Sequence, residues 1–241
     1  MSRLHKALVW TAGAILVTTG GVVTYCHGGS NEPSTCYGTP GAGALHGGWR
    51  LPKSGPNFET YSLTGWALGR TYVHSAVHAV VLDAYAELQR ALPGRPFMYG
   101  ETGLIRGGGF RPHRTHQNGL SVDFMVPVLN ATGKPTTLPT SPTNEFGYAI
   151  DFDRSGRKQN LTIDFEAVAL HLAELRAAAR KHDVAISRVI FAPDLQPHLK
   201  RTKAWSQISN LPFSKRPSWV RHDDHYHVDF RVPCKAFSQA P

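Results

Sequence analysis

Arg111-Pro-His-Arg-Thr-His-Gln-Asn-Gly-Leu-Ser-Val-Asp123 sets His113, His116 and Asp123 close together and runs on into Phe124-Met-Val-Pro-Val128. Leu120, Val122, Phe124, Val126 and Val128 form one apolar set, with Ser121, Asp123 and Met125 between them, which is the two-residue period of a β-strand. Asp123 then projects from the face opposite Val122 and Phe124. Gly119 permits a turn just before the strand, so His116 on the approaching loop can fold back toward Asp123. Arg221-His-Asp-Asp-His-Tyr-His-Val-Asp229 repeats the logic. Its His225 and His227 are two apart and share one side of a strand, with Val228 and Phe230 on the other. Imidazoles and a carboxylate are N/O ligands that suit Zn²⁺, and a catalytic zinc takes three protein ligands and keeps a fourth position for water. Neither stretch closes such a site alone, so the fold has to bring the two together.

His116 through Asp123 reads H-x6-D, and His225-Tyr-His227 reads H-x-H. This pair of motifs resembles the zinc sites of the lysostaphin, D-Ala-D-Ala metallopeptidase and hedgehog group. The longer strings, H-x-x-H-Q-x-G-L-x-V-D and H-x-x-H-x-H-V, are similar to one branch of that group, the penicillin-insensitive murein endopeptidases. Looser matches are Tyr99-Gly-Glu-Thr-Gly103, Gly107-Gly-Gly-Phe110 and Val232-Pro-Cys234, and the resemblance spans about Cys36 to Cys234. It implies Zn²⁺ held by His116, Asp123 and His227, and His225 as general base or transition-state donor. It also implies His113 and His222 as further catalytic residues that orient water or steady an oxyanion. The implied reaction is hydrolysis of D-alanyl to meso-diaminopimelyl cross-links of peptidoglycan. Two other expectations compete with it: a D,D- or L,D-carboxypeptidase trimming the same stems, and a non-catalytic zinc-containing module that binds the cell wall. The sequence departs from the pattern at Asp223-Asp224, which puts two carboxylates inside the second motif as partners for the imidazoles or as groups that raise their pKa values. It also has few cysteines and a short tail after Cys234, which leaves oligomeric state and substrate range open.

At the N-terminus, Arg3 and Lys6 precede an uncharged stretch from Ala7 to Tyr25. This is the pattern of a secretory signal, and its roughly twenty residues also suffice to span a bilayer. The expected organisation is a signal peptide or membrane anchor over 1–26 and one metallopeptidase domain over 27–241, exported to the periplasm. In that oxidising compartment Cys36 and Cys234 can bridge and close a long loop, leaving Cys26 unpaired. The chain carries 26 basic and 17 acidic residues, a net +9. Such a balance suits an anionic partner: nucleic acid, a membrane surface or a wall polymer. Zinc-finger spacing, RNP-like runs and basic heptad helices are all missing from the sequence, which excludes nucleic acid. Ser121, Ser155 and Ser206 sit in no G-x-S-x-G context, which argues against a serine hydrolase. Arg111, Arg114 and Arg221 are placed to line a basic cleft for the carboxylates of stem peptides.

The remaining chain supplies the scaffold. Cys36 to Thr71, rich in Gly, Pro and Ser, reads as loops. Val73, Val77, Val80, Val81, Ala84 and Leu88 mark a helix ended by Pro93-Gly94, with His74 and His78 on its solvated surface. Phe97 to Tyr99 reads as a short strand, and Gly107 to Gly109 as close backbone approach at the cleft edge. Asn130 to Glu145 is a long Pro-containing loop, either a lid over the substrate or unstructured. Phe146 to Phe152 reads as a strand and Asp151 to Gly156 as a turn. Asp164 caps a second helix, Ile186 to Phe191 is a buried strand, and Pro193 to Trp205 a basic helix. The fold class expected is α+β, a central antiparallel sheet with flanking helices and long loops, without internal repeats.

Overall fold

Residues 121–125 and 225–231 pair as neighbouring antiparallel strands in the computed structural model of the chain, which describes residue 30 and residues 32–241. In chain order the strands are β1 (Thr35–Thr39), β2 (Ala42–His46), β3 (Trp49–Arg50), β4 (Phe58–Thr60), β5 (Tyr72–Val73), β6 (Phe97–Tyr99), β7 (Ser121–Met125), β8 (Val128–Leu129), β9 (Pro135–Thr136), β10 (Arg157–Lys158), β11 (Leu161–Ile163), β12 (Ala185–Ile190) and β13 (His225–Arg231). The α-helices are α1 (Leu63–Ala67), α2 (Ser75–Ala91), α3 (Phe165–Lys181), α4 (Gln196–Leu199) and α5 (Trp205–Ile208).

The expected α+β architecture holds, with one change in the sheet. Its order is β12-β13-β7-β6-β4, antiparallel throughout except that β4 runs parallel to β6. A parallel neighbour needs a crossover, and α2, lying between β4 and β6 in the chain, provides it. Cross-strand register sorts the side chains: Phe124 faces Tyr226 and Val122 faces Val228, while Asp123 faces His227 and Ser121 faces Asp229. The first set is fully buried and meets the helices, with Phe124 packing edge-on against Tyr85 of α2 and His171 of α3. The second set lies on the opposite face. One alternation therefore builds the core on one side of the sheet and the polar centre on the other.

Several local expectations change. Between Cys36 and Thr71 the chain forms β1 to β4 and α1 rather than loops alone; β1 and β2 make a hairpin and β3 pairs with β5. His74 is buried at 8% exposure, and its Nδ1 accepts from the Ala76 N–H as the N-cap of α2, which takes it off the solvated surface. His78 is half-buried against Trp49. Residues 146–152 are not a strand: a 3-10 turn spans Pro142–Gly147, with Glu145 and Phe146 at φ 53° and 57°. The N–H groups of Phe152 and Ile150 are taken by the carboxylates of Asp223 (2.6 Å) and Asp224 (3.4 Å), so no sheet ladder is needed to satisfy them. The basic helix expected over Pro193 to Trp205 breaks into the short α4 and α5. Asn130 to Glu145 is structured through β9 and the Asn130 side chain, which collects the N–H groups of Thr132 and Lys134. A Cβ at Gly107 would meet the Gln117 carbonyl at 2.1 Å, which confirms the close approach there. None of Gly107 to Gly109 lines the main cleft, however, so these glycines do not form its edge.

Cys36 and Cys234 are bridged, tying β1 to the end of the chain, and Cys36 is buried. Among the described residues no helix is long and apolar enough to cross a membrane. The expected leader over 1–26, with Ala7 to Tyr25 and Cys26, lies outside the described residues.

The core carries one acid-sensitive group. His171 of α3 is enclosed by Tyr85, Phe97, Phe124 and Tyr226, with its Nδ1 on the Tyr226 hydroxyl. Burial pushes its pKa down to about 3. An unfolded His titrates near 6.5, so the unfolded chain takes up this proton first as the pH falls. The stability His171 confers is intact above about pH 6.5 and is lost as pH falls toward 3. His171→Phe is expected to flatten the dependence of Tm on pH across that window, read by thermal melts at half-unit steps. A variant melting curve with the wild-type slope would refute it.

Candidate metal centre

Asp123 is the focus of the polar face. It is 1% exposed, and its two oxygens divide the neighbouring imidazoles between them. Oδ1 lies 2.9 Å from His227 Nδ1 and 3.3 Å from His116 Nε2. Oδ2 lies 3.8 Å from His113 Nδ1 and 3.9 Å from His225 Nε2, and accepts a hydrogen bond from the Tyr148 hydroxyl at 3.2 Å. The ligand atoms of His113, His116 and Asp123 all fall within 4.8 Å of one another, a group able to hold a metal ion.

Each ring nitrogen of His116 and His227 has a defined partner or a defined lone pair. The Nδ1–H of His116 donates to the Thr102 carbonyl at 3.1 Å, which leaves Nε2 as a lone pair. That Nε2 is buried, makes no hydrogen bond and faces Asp123, so the donor set fits a cation. On His227 the Nε2–H donates to Asp229 at 2.7 Å, and Asp229 is in turn held by Ser121 and Arg188. Nδ1 is thereby turned toward Asp123. Burial opposes charge on His227, but Asp229 and Asp123 outweigh it and its pKa rises to about 9. A cation between Nδ1 and Asp123 would take the place of that proton. Burial would also raise the pKa of Asp123, yet His116 and His225 hold it well below the usual carboxylate range.

His225 and His222 form a second tier. The His225 Nδ1–H donates to Asp224 Oδ1 at 2.5 Å, turning Nε2 toward Asp123. Burial works against protonation of this ring, but Asp123 and Asp224 prevail and raise its pKa. His222 stacks 4.6 Å from His225 and donates from Nδ1 to the Val220 carbonyl. Burial, reinforced by His225, lowers its pKa to about 3, so it is a neutral ring. The five histidines singled out by motif therefore gather around the sixth residue, Asp123, although His222 reaches it only through the rings of His225 and His227. Asp224 supports an imidazole as the sequence suggested, whereas Asp223 serves Arg221 and the Phe152 N–H.

His113, His222, His225 and His227 line a cleft of about 770 Å³ that also takes in Arg70, Arg114, Arg188 and Arg221, whereas His116 and Asp123 are buried and do not line it. Arg114 and Arg221 line it as expected. Arg111 does not; its carbonyl instead accepts from Arg70 at 2.9 Å. Residues 36–240 match the family model described as penicillin-insensitive murein endopeptidase. The chain belongs to this family. No curated protein matches the chain, so its membership rests on that model.

Murein endopeptidases act on peptides of the cell wall, so peptidoglycan is the substrate class to which this cleft belongs. Sequence reasoning missed four residues of the cleft: Tyr61, Arg70, Glu101 and Tyr148. Glu101 and Tyr148 contact members of the metal group directly, and Tyr61 and Arg70 hold Glu101. Glu101 stood inside the quoted Tyr99-Gly-Glu-Thr-Gly103 match, the one available signal. A Cβ at Gly100 would strike the Tyr148 hydroxyl at 2.4 Å, which is why a glycine precedes it.

Proposed function

We propose that this murein endopeptidase is Zn²⁺-dependent and hydrolyses D-alanyl to meso-diaminopimelyl cross-links as a D,D-endopeptidase, exported to the periplasm by its N-terminal segment. The observation that carries the reading is the convergence of metal-capable atoms on buried Asp123, with the orphaned Nε2 of His116 among them. His116 Nε2 and His227 Nδ1 both address Asp123 Oδ1, and these three are the proposed ligands. His113 faces the other oxygen and is proposed to orient the water or steady the oxyanion. When bound, Zn²⁺ supplies Lewis acidity that brings the pKa of water to about 7 and polarises the scissile carbonyl.

His225 takes the proton of the attacking water at Nε2 and passes it to the departing amine nitrogen. Asp224, on Nδ1, stabilises the imidazolium that forms between those two transfers. His222 is neutral with its Nδ1–H committed to Val220, so its Nε2 accepts a hydrogen bond from water and orients it. Arginines around the cleft favour the carboxylates of stem peptides.

The test is digestion of purified murein, with metal analysis and chromatography of the muropeptides with and without chelator. Loss of cross-linked dimers and gain of monomers, stopped by chelation and restored by zinc, is expected. Shortened stems with dimers intact would replace this reading with a carboxypeptidase. Binding without turnover, with zinc retained, would replace it with a wall-binding module. His225→Ala is expected to lower the rate of dimer release by about 10²- to 10⁴-fold, with binding to murein sacculi unchanged. Release at the wild-type rate would remove His225 from the mechanism.

A further inference from the structure

Glu101 follows β6 and stands beside the metal group without belonging to it. Its carboxylate is buried and both oxygens are engaged. Oε1 accepts from the Tyr61 hydroxyl at 2.6 Å and from Arg70 Nε. Oε2 accepts from Arg70 Nη2 at 2.9 Å and from His113 Nε2 at 2.6 Å. Burial works to raise its pKa, but hydrogen bonds from Arg70, His113 and Tyr61 bring it down to about 2, so it remains an anion. An ionised carboxylate only accepts, so His113 carries a hydrogen at Nε2, and in the neutral ring the lone pair is then at Nδ1. Nδ1 is the atom that faces Asp123 Oδ2. The backbone of the same residue holds Asp123: the Glu101 carbonyl accepts from the Asp123 N–H at 3.0 Å. Its own N–H donates to the Tyr148 hydroxyl, which donates to Asp123 in turn.

We propose that Glu101 is a positioning residue of the centre, which fixes His113 as its Nε2–H tautomer so that Nδ1 meets the reaction as an acceptor of a cation or a proton. A ring free to change its tautomer would present N–H to that space part of the time, repelling a cation and offering no base. Tyr61 and Arg70 act through Glu101, holding its carboxylate in the plane that His113 needs. The kinetic part of this inference rests on the zinc-peptidase reading; the tautomer is a property of the chain itself.

The experiment is long-range ¹H–¹⁵N NMR of the imidazoles in the full-length protein as isolated and after chelation, followed by chelator-competition measurement of Zn²⁺ affinity. Wild-type His113 is expected as Nε2–H in both states. In Glu101→Gln the side-chain amide can donate to Nε2, and the ring is expected to move wholly or partly to Nδ1–H. Zn²⁺ affinity and kcat on murein are then expected to fall about 10- to 100-fold, with KM retained. Tyr61→Phe withdraws a partner from Oε1 alone and is expected to keep the wild-type tautomer. An Nδ1–H ring in the wild type overturns the inference. So does a Glu101→Gln ring that stays Nε2–H, or one that flips with no loss of affinity or kcat. Should Glu101→Gln fail to fold, the wild-type spectrum still decides. A wild-type protein that takes up no zinc and cuts no murein, yet shows the tautomer and its flip, would defeat the proposed function and leave the positioning intact.

Discussion

Asp123→Ala is expected to abolish zinc uptake and to lower the rate of murein cleavage by at least about 10³-fold. The reason is the position of this carboxylate at the meeting point of His113, His116, His225 and His227. Removing it takes away the one carboxylate on which those imidazoles converge, and with it the proposed anionic ligand of a divalent cation. Stabilisation of developing charge by a metal is worth several kcal/mol, and each ~1.4 kcal/mol is a factor of ten in rate. Asp123→Asn sharpens the test, because it keeps the volume while removing the charge and turning one of the two acceptor oxygens into an N–H donor. Both variants are measured for bound metal after dialysis against zinc, for dimer release from murein, and for Tm to confirm folding. An Asn variant that retains both zinc and activity would show that the centre is built around another group.

Breaking the Cys36–Cys234 bridge is expected to have the largest effect on stability. It closes a loop with a sequence separation of 198, and on the chain-entropy model a loop of that length is worth about 5 kcal/mol. Apart from the bridge, the returning chain is held at β1 through the bonds from Gly38 N–H to the Lys235 carbonyl and from Lys235 N–H to the Cys36 carbonyl. The Cys36→Ser/Cys234→Ser double variant is therefore expected to lose about 3 to 5 kcal/mol of unfolding free energy, measured by denaturant titration. Wild-type protein in excess reductant is expected to match it. A double variant within about 1 kcal/mol of the wild type would mean that the reduced chain already holds its ends together.

Legibility from sequence followed the range of the interactions. The strand carrying Asp123 was readable because alternation is local, and the same rule gave the correct face for His225 and His227. α2 and α3 were readable from their apolar spacing and, for α3, from Asp164 as cap. The irregular path of residues 146–152 was not, because the N–H groups of Ile150 and Phe152 are taken by a pair of carboxylates more than seventy residues away in the chain. His74 misled for the same reason: its spacing with His78 suggested a solvated face, and only the packing of the segment before β1, where Ser34 meets Ser75, buries it. Glu101 and Tyr148 reach the centre across 12 and 25 residues respectively, through loops whose path no periodicity encodes. The parallel β4–β6 pair was hidden because β4 is only three residues long.

The direct pairing of His227 with Asp123 across β7 and β13 separates two tasks within the chain. The distance between those side chains is fixed by backbone hydrogen bonds and owes nothing to the excursion that joins the strands. That excursion, residues 126–224, supplies Phe146, Tyr148, Trp219 and Val220 to the cleft walls. It can lengthen, shorten or exchange loops without moving the atoms that do the chemistry, provided Tyr148, His222 and Asp224 keep their places at the centre. Choice of wall polymer can thus diverge among relatives of this protein while the reaction stays the same.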